Sequence, residues 1–497
     1  MDRREEDFAM KPAGFFALAR WEARRLVAER TGVLLIALWC GLLAVAAWQG
    51  RAQARDQHAQ IAAAQKADLE NWARRRALLV EIEAGRKQPP PFGDPRSPTN
   101  SVMGRGGERP VVLTPTPLAA LSGGSGDLAP PVLGTGMITK LIGPAQSIEN
   151  PANRLAGPLD LAFVVSALLP LFVLALSFDV LARERDARIW PLLASQPTSL
   201  RRIVTARLAV HFLALWLPLA AAAWWATGSS TGGAASLARP AVESGLWLAF
   251  AALYLVLWQL LAAVLNFRGR SAASNAVLLA GAWLASVLLI PSMVDAMVQS
   301  VAPPPDRREF LLEVRGVETD LFKRADELRD AYYAAHPEQR PQVELNEYDG
   351  YYVGNMYPRV LAADAALAPA LARLDAERAA QDRWWRGLAW LSPTLAFRLA
   401  TEKLAGVTPL QRELLVEHAK EFQREMRATY GAQVASMRPL TAADYDRAPR
   451  PPIVALSLSR RLRNAAPGLS GIAAATVLLG LWFRRAQRHA HQALATS

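Results

Sequence analysis

The stretch LAFVVSALLPLFVLALSF, from Leu161 to Phe178, carries no charged residue. A helix needs about 20 apolar residues to cross the roughly 30 Å hydrocarbon core of a bilayer, and a charged side chain at its centre costs at least about 2.5 kcal/mol. Six runs of this kind lack Asp, Glu, Lys and Arg: 32–50, 161–178, 208–227, 244–267, 271–294 and 464–483. The alternative, six such helices in one soluble core, is disfavoured. The sequence therefore predicts an all-α membrane protein with six transmembrane helices.

The composition of the chain excludes further classes of protein. The chain has 497 residues, 52% of them hydrophobic, and a net charge of +12. Its single cysteine, Cys40, excludes an intramolecular disulfide framework. Basic residues concentrate in short flanks of the apolar runs, while the charges of the long polar segment from 300 to 466 nearly balance. No basic nucleic-acid surface is therefore expected.

The basic flanks also predict the orientation. Arginines precede the first span, fill the loop between spans two and three, and follow span six. Positively charged short loops stay on the cytoplasmic side, so both termini are expected there. The resulting order is a cytoplasmic N-terminus 1–31, TM1 32–50, outer segment 51–158, TM2 159–178, cytoplasmic loop 179–207, TM3 208–227, TM4 244–267, TM5 271–299, outer segment 300–466, TM6 467–483 and a cytoplasmic tail 484–497.

Two long segments then lie outside. The first opens as a helical stalk that continues TM1 and becomes proline-rich from Gln88 onward. The second has helical periodicity and a tyrosine-rich loop. We expect the two to pack into a single, mostly α-helical periplasmic ectodomain. Tyrosines bury much area at a low entropic cost, so the loop is a candidate surface for partner recognition, although packing within the ectodomain is the favoured interpretation: Tyr348, Tyr351, Tyr352 and Tyr357.

Only short segments of the chain are predicted to lie on the cytoplasmic side. The sequence from Phe15 to Arg30 alternates apolar and basic groups, which is typical of an amphipathic helix at the membrane interface. Its expected interfacial residues are Phe16, Trp21, Arg24 and Arg25. A simple basic anchor is the alternative.

The loop FDVLARERDARIWPLLASQPTSLRRIVTAR, from Phe178 to Arg207, has short charged elements around a break at Pro197. Thr198 or Ser199 is placed to cap the next helix. Short framed helices of this kind suit docking onto a soluble partner, and an ordinary positive-inside loop is the alternative.

At this loop the sequence resembles the ABC-2 type permeases. Their pattern of Glu-Arg-acid-x-Gly-Thr-Leu, a leucine pair and a Ser-x-Pro-like break is matched by Glu184, Arg185, Asp186, Ile189, Leu192, Leu193, Ser195, Gln196 and Pro197, while Ala187 and Arg188 replace Gly-Thr. Three further stretches resemble the subgroup with an uncharacterised periplasmic insertion: 116–130, 149–179 and 391–408.

The resemblance implies the permease subunit of an ATP-binding-cassette transporter in a bacterial inner membrane. Such a subunit pairs with a second permease copy or a paralogue and binds two copies of a cytoplasmic ATPase. The residues expected to couple to the ATPase are Glu184, Arg185, Asp186, Arg188, Leu192, Leu193, Pro197, Arg201 and Arg202. The expected activity is export of an unidentified substrate.

The chain itself lacks the motifs of an enzyme. It has no Gly-x-x-x-x-Gly-Lys-Ser/Thr loop for ATP, no His-Glu-x-x-His and no Gly-x-Ser-x-Gly. ATP and Mg²⁺ would therefore bind the partner ATPase, and no cofactor or metal is expected here. Two other functions stay open: a subunit that relays force to a periplasmic partner without moving cargo, and an ATP-independent membrane scaffold or receptor.

Overall fold

The computed structural model describes residues 14–91, 93–103, 105–123, 130–141, 159–189, 199–228, 238–342 and 349–495. In these residues the chain is mostly helical. Six helices are long and apolar enough to cross a membrane, which confirms that part of the prediction. They are α2 (Arg30–Glu83), α3 (Leu161–Asp186), α4 (Leu200–Thr227), α5 (Ala238–Phe267), α6 (Ala272–Val301) and α13 (Leu458–Ala495).

The first span belongs to a much longer helix. A separate helix, α1 (Phe15–Ala28), ends at Glu29, whose backbone is extended, and α2 starts directly after it. The 54 residues of α2 run without a break, which gives a rod of about 80 Å at 1.5 Å per residue. One continuous element therefore joins the bundle of apolar helices to the extramembrane body, the name used below for the described residues of the two segments that the sequence predicts to lie outside, 51–158 and 300–466.

The spans pack around a large apolar core. Trp39 of α2 is fully buried, and its indole nitrogen donates to the carbonyl of Leu215 in α4 over 2.9 Å. Leu43, Phe172 and Leu219 belong to the same cluster. Few residues in the apolar parts of α6 and α13 are buried in the single chain.

The extramembrane body has its own core. Its helices are α7 (Arg307–Lys323), α8 (Ala325–Ala335), α9 (Tyr357–Leu388), α11 (Pro409–Ser436) and α12 (Ala442–Asp446). One apolar cluster combines Leu79, Val102 and Val111 from the first outer segment with Phe422 and Tyr430 from the second. The two segments therefore fold together, and the side of the membrane on which they lie remains a prediction.

A small sheet corrects the all-α prediction. Strands β1 (Arg109–Leu113), β2 (Val132–Thr135) and β3 (Ile453–Val454) form a sheet in the order β2-β1-β3. The first pair is antiparallel, with Val111 opposite Leu133, and the second is parallel. Prolines exclude helices here, and β-branched residues favour extended chain. The pairing of β1 with β3 joins chain segments more than 300 residues apart, which no local pattern predicts.

One helix of the second outer segment packs with the spans. Helix α10 (Pro393–Ala405) buries Phe397 and Ala400 in the same core as Trp39. Its Thr394 hydroxyl bonds the Tyr254 hydroxyl over 2.8 Å and the Ser286 hydroxyl over 2.9 Å. Ser286 lies in a π-helical turn of α6 (Ala285–Leu289). The sequence interpretation placed this helix with the ectodomain, because its mixed polarity hides its buried face.

Candidate functional site

A cluster of ionisable side chains is buried where α1 meets the end of α3 and the start of α4. Its centre is Glu22 of α1, Glu184 of α3, and Arg207 and His211 of α4, and each is less than a tenth exposed. Burying charges away from water is unfavourable unless they are paired and hydrogen-bonded. Their mutual arrangement therefore decides whether the three helices stay together.

Arg207 is the central cation of this cluster. Its Nη2 lies 2.5 Å from Oε1 of Glu184, and its Nε lies 3.5 Å from Oε2 of Glu22. Its Nη1 donates to the carbonyl oxygen of Val180. The guanidinium carbon also lies 5.7 Å from the ring centre of Trp21. One side chain of α4 thus contacts both α1 and the loop that follows the second span.

The cluster is not fully satisfied. Oε2 of Glu184 and Nε of Arg207 are buried and make no hydrogen bond to the described residues. A partly satisfied buried network is less stable than a complete one, because each unpaired group keeps its desolvation penalty. The cluster therefore keeps part of the desolvation cost of its charged groups.

Glu22 is the central anion. Its Oε1 lies 3.3 Å from Nε2 of His211, whose Nδ1 lies 3.1 Å from the Ser177 hydroxyl, and its Oε2 lies 3.3 Å from Arg25. Burial raises the pKa of the Glu22 carboxyl, but the hydrogen bond from His211 and the charges of Arg25 and Arg207 outweigh it. The pKa of Glu22 consequently lies below its usual value, and the carboxylate is charged at neutral pH.

A second, more exposed layer closes the cluster. Arg183 binds Glu29 over 2.6 Å and Asp179 over 2.7 Å, and Arg25 binds Glu29 over 3.0 Å. Burial raises the pKa of Glu29, and the hydrogen bond and charge of Arg183, together with Arg25, lower it below its usual value. The junction residue between α1 and α2 is therefore held to the end of α3.

Hydrogen bonds between side chains and backbone groups connect the end of α3 to the neighbouring spans. The Asn266 side-chain oxygen accepts from the backbone N–H of Leu181 over 3.0 Å, and the Asn266 carbonyl accepts from Arg185 over 2.7 Å. The Asp186 carboxylate accepts from the N–H of Ala272 over 3.0 Å. The short helix Ala182–Asp186 is thus anchored to α5 and α6 as well.

The coupling residues predicted from the sequence divide into two groups. Glu184 departs from the expectation of an outward docking surface: it is 6% exposed and faces Arg207 of its own chain, because a carboxylate in this apolar surrounding needs a cation. Arg185 is half-buried. Four residues are exposed: Asp186, Arg188, Arg201 and Arg202. Leu192, Leu193 and Pro197 lie outside the described residues.

The exposed group shares one end of the bundle. Arg188 has a φ of 58°, which lies in the left-handed region that favours glycine. Ser199 caps α4 by accepting from the N–H of Arg202, as the sequence predicts for Thr198 or Ser199. Ile189 beside Arg188 is 50% exposed. The described charged residues that are exposed on either side of the gap 190–198 are therefore mainly basic, with one acid, Asp186, and one large apolar residue, Ile189, is exposed beside them.

In α1 the predicted residues flank the buried acid. Phe16 is 86% exposed and Trp21 54% exposed, Arg24 is exposed and Arg25 is half-buried. Sequence reasoning missed Glu22 and Arg207 altogether. The available signal was an acid, Glu22, within a basic amphipathic helix and an arginine, Arg207, directly before the apolar run 208–227.

The tyrosine-rich loop does not form one surface. Tyr357 is buried in the extramembrane core, Tyr352 is half-buried and Tyr351 is 42% exposed. Tyr348 lies outside the described residues. Among the described members, Tyr351 alone is well placed for a partner.

Comparison with known proteins adds one finding. Residues 307–450 match the family described as Domain of unknown function (DUF3526). The matched region runs from α7 to the end of α12 and covers less than half of the chain. Neither a curated protein nor a solved structure matches the chain. No group of His, Cys, Asp or Glu suited to a metal ion occurs among the described residues.

Proposed function

We propose that this chain is the permease subunit of an ATP-binding-cassette transporter that exports a substrate across a bacterial inner membrane. Two copies of a separate cytoplasmic ATPase would supply the energy, and a second permease copy or a paralogue would complete the membrane unit. The proposal draws on six apolar helices of spanning length and on the resemblance of the loop after the second span to ABC-2 type permeases.

The buried cluster around Arg207 is the observation that carries the proposal. It joins α1, the short helix Ala182–Asp186 at the end of α3, and α4 through ion pairs. A partner that pushes on the exposed surface of Arg188, Arg201 and Arg202 would move these three elements together rather than bend one loop. A coupling element has to move as a unit, so that a displacement on one side reaches the other. The partner can drive that movement only if its contacts differ between the two packed states of the bundle.

Reconstitution with a candidate ATP-binding-cassette ATPase from the same organism tests the proposal. Arg201→Glu with Arg202→Glu reverses two exposed charges and leaves the buried cluster intact, so we expect loss of co-purification and of permease-dependent ATP turnover. Arg324→Glu, which reverses another exposed charge in the extramembrane body, is the control. A double variant that assembles and turns over ATP like the parent protein would remove the docking assignment. A Glu184 variant would be ambiguous, because it also breaks the cluster.

A second function, the relay of force to a periplasmic partner, is favoured by α2. The helix leaves the bundle and packs into the extramembrane body, where Arg76 binds Asp446 through two hydrogen bonds of 2.6 and 2.8 Å. The ring of Trp72 packs against that of Tyr445, with ring centres 4.7 Å apart. ATP turnover that responds to a periplasmic binder but to none of the candidate cargoes would favour this function over export.

A further inference from the structure

The extramembrane body contains a cavity of about 380 Å³ between α7 and the start of α9. One part of its wall is apolar and includes Phe322, Met356 and Val360. The other part carries the cations of Lys140, Arg315 and Arg359 and a single carboxylate, Glu318. A concave site with an apolar wall and a few convergent charged groups is the usual form of a small-molecule site.

The charges of this wall do not balance. Lys140 and Glu318 neutralise each other, with Nζ and Oε1 2.5 Å apart. Arg315 is exposed and makes no ion pair with the described residues. The guanidinium of Arg359 lies over the ring of Phe322 at 5.0 Å, and its Nη1 is buried without a hydrogen bond to the described residues. Two positive charges therefore face the cavity without an anion.

Neighbouring carboxylates do not supply the missing anion. Asp364 is 2.6 Å from Arg427, and Glu313 is 2.6 Å from Arg373. Both acids are thus paired with cations outside the cavity wall. A guanidinium with an unpaired buried N–H carries a desolvation penalty that a carboxylate or phosphate ligand would offset.

We propose that this cavity binds a small organic anion with a short apolar tail. The carboxylate or phosphate head lies at Arg315 and Arg359, and the tail lies against Phe322, Met356 and Val360. This site goes beyond the proposed transport function and does not rest on it.

Binding to the full chain in phosphatidylcholine nanodiscs tests the site, with hexanoate and hexyl phosphate as probes in equilibrium dialysis. Saturable binding of either probe supports the site and identifies its head group. Arg315→Gln and Arg359→Gln should each weaken that binding roughly tenfold or more, because each removes a charge-assisted hydrogen-bond donor. Arg324→Gln removes the same charge from a residue outside the cavity wall and should leave binding unchanged.

Two further ligands separate head from tail. Hexanol should bind far more weakly than the anions, and inorganic phosphate more weakly than hexyl phosphate. The proposal fails if neither probe binds, if hexanol or inorganic phosphate binds as tightly, or if Arg315→Gln has no effect. Arg315 is exposed, so its variant decides the question even if Arg359→Gln fails to fold. No ATPase is present in this assay, so its failure leaves the transport proposal standing.

Discussion

Replacement of Arg207 by methionine should loosen the junction between α1, α3 and α4. The change keeps a long side chain but removes the cation that lies between Glu22 and Glu184, whose side chains are 2% and 8% exposed. Removing one partner of a buried ion pair typically destabilises by about 3–5 kcal/mol, because the other charge stays buried and unpaired. Glu22 keeps Arg25 and His211, so we expect the lower end, about 3 kcal/mol.

The measurement is equilibrium unfolding in mixed micelles, followed by tryptophan fluorescence. Arg201→Met on the same helix is the matched control, since Arg201 is exposed and such surface changes usually stay within about 0.5 kcal/mol. Adding Glu184→Gln to Arg207→Met removes a stranded charge and should recover at least about 1 kcal/mol. The reasoning is refuted if Arg207→Met is as stable as Arg201→Met, or if Glu184→Gln lowers stability further.

Three other outcomes are expected. Folding lowers the pKa of Glu22, so its stabilising contribution is present at neutral pH and is lost as the pH falls below about 4.5 through the folded-state pKa. The free energy of unfolding of Glu22→Gln, measured from pH 7 to 3, should therefore depend less on pH than that of the parent protein. Equal slopes would contradict this. Tyr254→Phe removes two 2.8 Å hydrogen bonds from the bundle core and should cost about 1 kcal/mol in unfolding experiments, whereas Tyr351→Phe should cost nothing measurable; equal losses would argue against the Tyr254 contacts. In a cysteine-free background, Lys66→Cys should react with an impermeant maleimide from outside the inner membrane and Arg188→Cys only after permeabilisation, and the reverse pattern would invert the topology.

The six spanning helices could be predicted because their cause is local. The composition of an uncharged apolar run, such as 161–178, is by itself enough to predict a membrane-spanning helix. The cap at Ser199 is equally local, since its hydroxyl needs only the backbone N–H of Arg202 three residues later. Such features depend on neighbours in sequence, which the sequence displays directly.

The centre of the candidate site could not be predicted in the same way. Glu184 looks like part of a solvated charged turn until Arg207, 23 residues later, is seen to lie beside it. Glu22 and His211 are separated by 189 residues. In a basic, amphipathic region, both acidic and basic side chains can be exposed to solvent. The packing of the three helices decides which of these charged side chains are buried. The resemblance to known permeases located the loop but not the direction in which each side chain faces.

The same limit explains α10 and the sheet. Thr394 and Ser392 read as polar residues of an outer segment, yet they form hydroxyl hydrogen bonds with Ser286 in the bundle. Val112 pairs with Ile453 across most of the chain length. Residues far apart in the sequence satisfy each other's hydrogen-bonding groups in these contacts. The sequence around one residue of such a pair therefore does not predict its partner.

The unbroken α2 also has a mechanical consequence. It begins directly after Glu29, the single extended residue that separates it from α1 and that forms an ion pair with Arg183. A rod of about 80 Å that pivots by about 5° at that residue sweeps its far end through about 7 Å. In such a movement, displacements of less than 1 Å close to Glu29 would accompany displacements of several ångström at the Glu83 end of α2. The ratio between the two would follow from the length of the helix.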